Sequence, residues 1–207
     1  MYKRQALDRG YQVTAIINKT PCRDPRPQVL QKSLFDLTRE DVAGFDVLYS
    51  AFGSGFDAPP TVNRQAMNHL AELVRGTDIH LIAIAGAGCL YADDTRTAHV
   101  YELPSHPDFL KEISHNTLLG VQDVKATPEV HYTFVCPGVC FDAQGTDAGR
   151  YLTSDSGCVL TNRDGHSYTT YGDLADAMLD FGANNQFDRQ LVTVVSETGA
   201  PAPLGDQ

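Results

Sequence analysis

Short apolar runs rich in β-branched residues alternate along this chain with stretches of helical periodicity, and few folds accept that alternation. Residues 13–17 (VTAII) and 79–85 (IHLIAIA) are continuous, as strands buried on both faces must be. Residues 29–35, 45–52 (FDVLYSAF), 130–135 (VHYTFV) and 190–195 read as further strands, and 151–152 and 158–160 as shorter extended pieces. Helices are predicted over 62–75, 109–125 and 171–180, with a short one over 39–43 that Thr38 caps. In the first of these Val62, Ala66, Leu70, Leu73 and Val74 form one stripe, at spacings near four and three. Residues 6–9 read as the last turn of another helix, which Gly10 ends in the left-handed conformation. Strand, helix, strand at this spacing means right-handed crossovers and a parallel sheet flanked by helices.

The chain has 207 residues, enough for one α/β domain over 1–207. Its Gly/Pro-rich end, residues 197–207, reads as a flexible tail. Lys and Arg number 16 against 26 Asp and Glu, a net charge of −10 that argues against a nucleic-acid partner. No run has the length of a membrane span. Five cysteines, an odd number, occur without a signal-peptide core, so reduced thiols in a cytoplasmic protein are expected. Cys136 and Cys140 lack a second pair at zinc spacing, and no metal site is predicted.

In a parallel sheet, ligands sit outside the carboxyl ends of the strands. The loops there are Asn18-Lys19, Phe35-Asp36 and residues 51–55, 86–91 and 137–141; three of the five contain glycine. Gly86-Ala87-Gly88 is not a dinucleotide fingerprint, since Tyr91 stands at the third glycine position. Gly53-Ser54-Gly55 is not a nucleophile elbow, which requires G-x-S-x-G, so a hydrolase is disfavoured. No Tyr is followed by Lys four residues later at Tyr91, Tyr101 or Tyr171. Among seven histidines His115 stands out, early in the helix on the crevice side; Tyr91 is the other candidate for handling a substrate proton. If the ligand is a dinucleotide, the non-acidic Asn18-Lys19 favours NADP over NAD, because an acidic residue there would bind the free ribose hydroxyl.

The ordered pieces ALDRGYQVTAIINK, KSLFDLT, DVLYSAFG, LIAIAGAGCLY, YTFVCPGVCFD and GRYLTSDSGCVLTNRDGHSYTTYGDLADAML resemble one family from about Ala6 to Val195. It is the NAD(P)H-binding atypical short-chain dehydrogenase/reductase family, which includes flavin and biliverdin reductase B-like proteins. The resemblance implies a Rossmann-like fold holding NADP(H), with NAD(H) the lesser alternative. Asn18 and Lys19 would border the adenosine phosphate, and Leu34 and Phe35 the adenine. Ala51, Phe52 and Gly53 would line the middle of the dinucleotide. Gly86, Ala87 and Cys89 would approach the nicotinamide ribose, and Pro137, Gly138 and Val139 the carboxamide. The family commonly has Arg at the position of Asn18 and a hydroxyl residue at that of Cys89. The implied activity is hydride transfer to a small conjugated, flavin- or quinone-like substrate. A non-catalytic nucleotide sensor or partner-binding protein on the same scaffold is the alternative.

The family opens with a strand, a G-x-x-G-x-x-G turn and a helix; here only the tail of that helix is recognisable, at residues 6–9. The expectation is a Rossmann-like sheet lacking its first, central strand and Gly-rich loop. On this reading residues 1–5 are foreign to a truncated frame, and its strand neighbours lose a ladder partner.

Overall fold

The structure, a computed structural model, describes residues 2–55 and 57–201. Its strands are β1 (Thr14–Ile17), β2 (Gln28–Gln31), β3 (Val47–Ser50), β4 (His80–Ile84), β5 (His131–Pro137), β6 (Cys140–Asp142), β7 (Tyr151–Ser154), β8 (Tyr168–Thr170) and β9 (Gln190–Ser196). Its helices are α1 (Tyr2–Asp8), α2 (Arg39–Val42), α3 (Val62–Val74), α4 (Asp108–Ala126) and α5 (Tyr171–Asn184). The fold is α/β with a mostly parallel sheet, as the alternation of patterns requires.

The main sheet has the order β3-β4-β5-β9-β7. Its pairs are parallel except at the β7 edge, where Tyr151 stands opposite Ser196 in an antiparallel ladder. The sheet is thus mostly parallel, as expected, with one antiparallel edge. An edge strand satisfies one ladder only, so its direction is not dictated from both sides. The loop expected over 137–141 gives way in part to β6, which pairs with β8 in a small parallel sheet. The strand expected over 29–35 is shorter, giving way to a 3-10 turn at Leu34–Asp36.

Among the described residues β1 pairs with β2, β3 pairs with β4, and no ladder joins β1 to β3. The strands β1 and β2 thus form a two-stranded parallel sheet of their own beside the main one. The two pieces still share a core, since Ile16 and Leu30 pack against the cluster that contains Leu48.

Alternate strand residues face opposite layers, as a period of two demands. Leu81, Ala83, Tyr132, Phe134 and Cys136 face α3 and α4, whereas Ile82, Val135, Val192 and Val194 face α5. The stripe on α3 buries Ala66, Leu70, Leu73 and Val74 as expected, together with Met67 and Ala71. Gly120 lets α4 approach closely: a Cβ there would stand 3.0 Å from Met67 Sδ and 3.1 Å from Arg64 Cα. Arg64 then closes the helix pair, donating from Nε and Nη2 to the Asp123 carboxylate at 2.6 and 3.0 Å.

On the other face α1 lies along α5. Arg9 donates to Asp180 and Asp176 at 2.6 and 2.8 Å, and Gln5 Nε2 reaches the Gly172 carbonyl and Asp176. Gln5, placed by sequence in the foreign segment, is thus engaged with the helix. The start of the expected flexible tail is also anchored: Gly199 N–H donates to Asp164, and Asn162 Nδ2 donates to the Gly199 carbonyl. Residues 202–207 of that tail lie outside the described residues. No helix among the described residues is long and apolar enough to cross a membrane.

Candidate functional site

The carboxyl ends of β3, β4 and β5 open onto a cavity of about 420 Å³, within the usual range for small-ligand sites. Its floor is the loop after β4, from Gly86 to Cys89; one wall is the loop after β3, at Phe52 and Gly53, and another is the run Pro137 to Val139 after β5. The roof comes from helices: Asn63, Met67 and Leu70 of α3, and Leu110, Ile113, Ser114 and Thr117 of α4, with His106 just before α4. The sheet thus brings together Phe52, Gly53, Gly86, Ala87, Cys89, Pro137, Gly138 and Val139, as the strand-end rule foresaw.

Each loop is held by specific bonds. Gly86 has φ +103°, a conformation open to glycine, and a Cβ there would meet nothing within 4 Å. After β5, Gly138 N–H donates to Thr169 Oγ1 at 2.7 Å, which itself donates to the Val194 carbonyl. Val139 N–H donates to Ser167 Oγ at 3.0 Å. Both N–H groups are occupied, so this loop offers a ligand the 55% exposed Val139 side chain rather than backbone donors. After β3, Asn63 Oδ1 accepts from Ser54 N–H at 3.0 Å and Asn63 Nδ2 donates to Thr117 Oγ1.

The remaining sequence candidates are placed differently. Ala51 is exposed and outside the cavity lining. Phe35 packs edge-on against Phe52, with centroids 6.2 Å apart, and Leu34 packs against the core. Asn18 and Lys19 are exposed beyond the end of β1, away from the lining. Cys89 is buried; its thiol pKa is pushed up to about 12 by that burial, so it is neither nucleophile nor acid at neutral pH.

The two proton-handling candidates both lie outside the cavity lining. His115 is exposed and stacks on Tyr101, ring centroids 5.3 Å apart, outside the lining. Tyr91 stacks on His99 at 4.1 Å and bridges toward Cys158, also outside. A residue step on a helix turns about 100°, so Ser114 faces the cavity and its neighbour His115 does not. The polar pair that sequence reading missed is His106 and Ser114, with Nε2 and Oγ 3.1 Å apart. Burial, and secondarily Lys111, hold the His106 pKa below the usual imidazole value. The signal available was the spacing of Leu110, Ile113 and Thr117, which marks the inward stripe of α4.

No family model matches the chain. The uncharacterized protein YwnB of Bacillus subtilis (strain 168) is 30% identical over 196 residues, covering 94% of this chain and 91% of that protein. A crystal structure of SP1627 from Streptococcus pneumoniae TIGR4, described as "a putative NADH-flavin reductase", superposes with a TM-score of 0.87 at 26% identity, covering 94% of this chain and 92% of that one. The chain belongs to the NAD(P)H-binding atypical short-chain dehydrogenase/reductase family. The oxidoreductase YlbE from Lactococcus lactis shares the fold of this reductase-family chain, with a TM-score of 0.72 at 15% identity over 96% of this chain and 86% of that one. The family binds a nicotinamide cofactor, a flat ring carried on a dinucleotide.

Two features fit such a group. Space is open above the backbone at Gly53, Gly55 and Gly86, where a Cβ would meet nothing within 4 Å. Ser54 Oγ, beside the cavity wall, is buried without a hydrogen-bond partner among the described residues. The mostly apolar lining, with Ser50, Asn63, His106, Ser114 and Thr117 as polar points, suits a flat ring with a few heteroatoms.

Proposed function

We propose that the chain is an NADP(H)-dependent oxidoreductase that reduces a small conjugated substrate, flavin- or quinone-like. The observation that carries the reading is the cavity itself: apolar, about 420 Å³, and open at the carboxyl ends of three adjacent parallel strands. When bound, the dihydronicotinamide supplies a hydride; the protein supplies binding, orientation and exclusion of water. Gly86, Ala87 and Cys89 would support the ribose side, and Phe52 and Gly53 the middle of the dinucleotide. Pro137, Gly138 and Val139 would close the far wall over the ring. Exposed Lys19, with no acidic residue beside it, favours the 2′-phosphate of NADP. Its likeness to SP1627 supports a flavin or similar planar compound as the acceptor.

The test is calorimetric titration with NADPH and NADH, followed by nucleotide oxidation across a panel of quinones and free flavins. Binding of NADPH in preference to NADH, with turnover on the panel, is expected. Binding without turnover on any acceptor would replace the reductase by a nucleotide sensor, and absence of binding would end both readings.

A further inference from the structure

The polar corner of the cavity is built from side chains outside the strand-end loops. His106 Nε2 lies 3.1 Å from Ser114 Oγ, and both residues line the cavity. Ser114 is fixed from below, because it rests on the turn after β4: a Cβ built on Gly88 would come within 2.7 Å of Ser114 Cβ and Oγ. Around the pair the lining is apolar, with Leu110, Ile113, Val139 and Phe141. His106 is half-buried, and its Nε2 meets the Ser114 hydroxyl. Cys89, the other ionisable group in the lining, is a buried neutral thiol bonded toward the Ala85 carbonyl.

We propose that Ser114 and His106 form a proton relay that serves the reduced acceptor, a planar carbonyl compound of the quinone or flavin class. The inference rests on the reductase reading and names the catalytic pair within it. In the reaction the acceptor receives a hydride, one hydrogen with an electron pair, from the dihydronicotinamide, which is thereby oxidised. Charge accumulates on the acceptor's conjugated oxygen or nitrogen. Ser114 gives its hydroxyl proton to that atom as the imidazolium Nε2–H passes to Ser114 Oγ. Neutral His106 then regains a proton from solvent, so one hydride and one proton enter each product. Lys111 on α4, itself paired with Asp108 at 2.7 Å, opposes the charge on His106. Turnover should therefore fall as pH rises through the imidazole titration.

The experiment compares wild type with His106→Gln and Ser114→Ala, using NADPH and menadione across pH. Each variant should lower kcat by about 100-fold, the lower end of what acid–base catalysis contributes, with KM for both substrates kept. The fall of kcat with rising pH should disappear in His106→Gln. Turnover and pH profile unchanged in both variants would overturn the relay and leave the reductase reading intact. No turnover by wild type on any acceptor would defeat the reductase reading, and the relay with it. Independently of turnover, menadione added without nucleotide should shift the imidazole NMR resonances of His106 but not those of exposed His166. Absence of that shift would equally overturn the proposal.

Discussion

Gly88 and Ser114 are packed so closely that the glycine has no room for a methyl group: its Cβ would stand 2.7 Å from both Cβ and Oγ of the serine. Helix α4 is thus seated directly on the turn that follows β4, and the cavity depth at this corner is set by one missing side chain.

Gly88→Ala should therefore push Ser114 off the turn and separate it from His106. Overpacking of this kind costs roughly 1–3 kcal/mol. Urea denaturation should show that loss, and the imidazole NMR resonances of His106 should shift once the bond to Ser114 is broken. An unchanged urea midpoint would show that the helix can shift without cost.

Gly138→Ala should be harmful for a different reason. Its Cβ would meet the Ser167 carbonyl carbon at 2.7 Å, and the Ser167 oxygen and Tyr168 nitrogen at 2.8 Å. All three are backbone atoms that no rotamer can move. A stability loss of about 1–3 kcal/mol is expected, with weaker NADPH binding in titration because Val139 moves with the loop.

Asp173 is 1% exposed and accepts from Ala148 N–H at 3.0 Å, Gly149 N–H at 2.9 Å and the Ser196 hydroxyl. It ties the loop before β7 to α5 and to the end of β9. Asp173→Ala should leave these donors stranded, at about 1–3 kcal/mol for each one left without water. Denaturation would measure the loss, and amide exchange at Ala148 and Gly149 should accelerate.

His80 should make the fold sensitive to acid. It is 4% exposed, with Nε2 bonded to Thr133 Oγ1 at 2.8 Å and Nδ1 buried without a hydrogen-bond partner among the described residues. Burial depresses its pKa below the usual imidazole value. Below about pH 6.5 the unfolded chain binds a proton that the native chain refuses. The contribution is therefore full above that pH and is lost as pH falls toward the native pKa. The urea midpoint should drop between pH 8 and pH 5, and the drop should be smaller in His80→Gln.

Much of the architecture was legible because it is written in neighbouring residues. The continuous run from Leu81 to Ile84 and the stripe of Ala66, Leu70, Leu73 and Val74 each carry their period within a few residues. The absence of a ladder between β1 and β3 among the described residues was not legible, since a direct pairing of the two was equally open to the sequence. The direction of β7 and the pairing of β6 with β8 were not legible either. Both join segments distant in sequence, and three-residue strands such as Tyr168–Thr170 leave no period to read.

The amino-acid sequence by itself determined which segments become strands and helices and which loops close the carboxyl ends of the sheet, because periodicity and turn chemistry are local. Only the tertiary structure decided which polar groups meet in the cavity. His115 and Ser114 are adjacent in the chain, yet the docking of α4 on Gly88 and α3 turns the serine inward, beside His106, and leaves the histidine stacked on Tyr101. A helix changes facing by about 100° per residue, and its rotation is settled by contacts that lie far away along the chain.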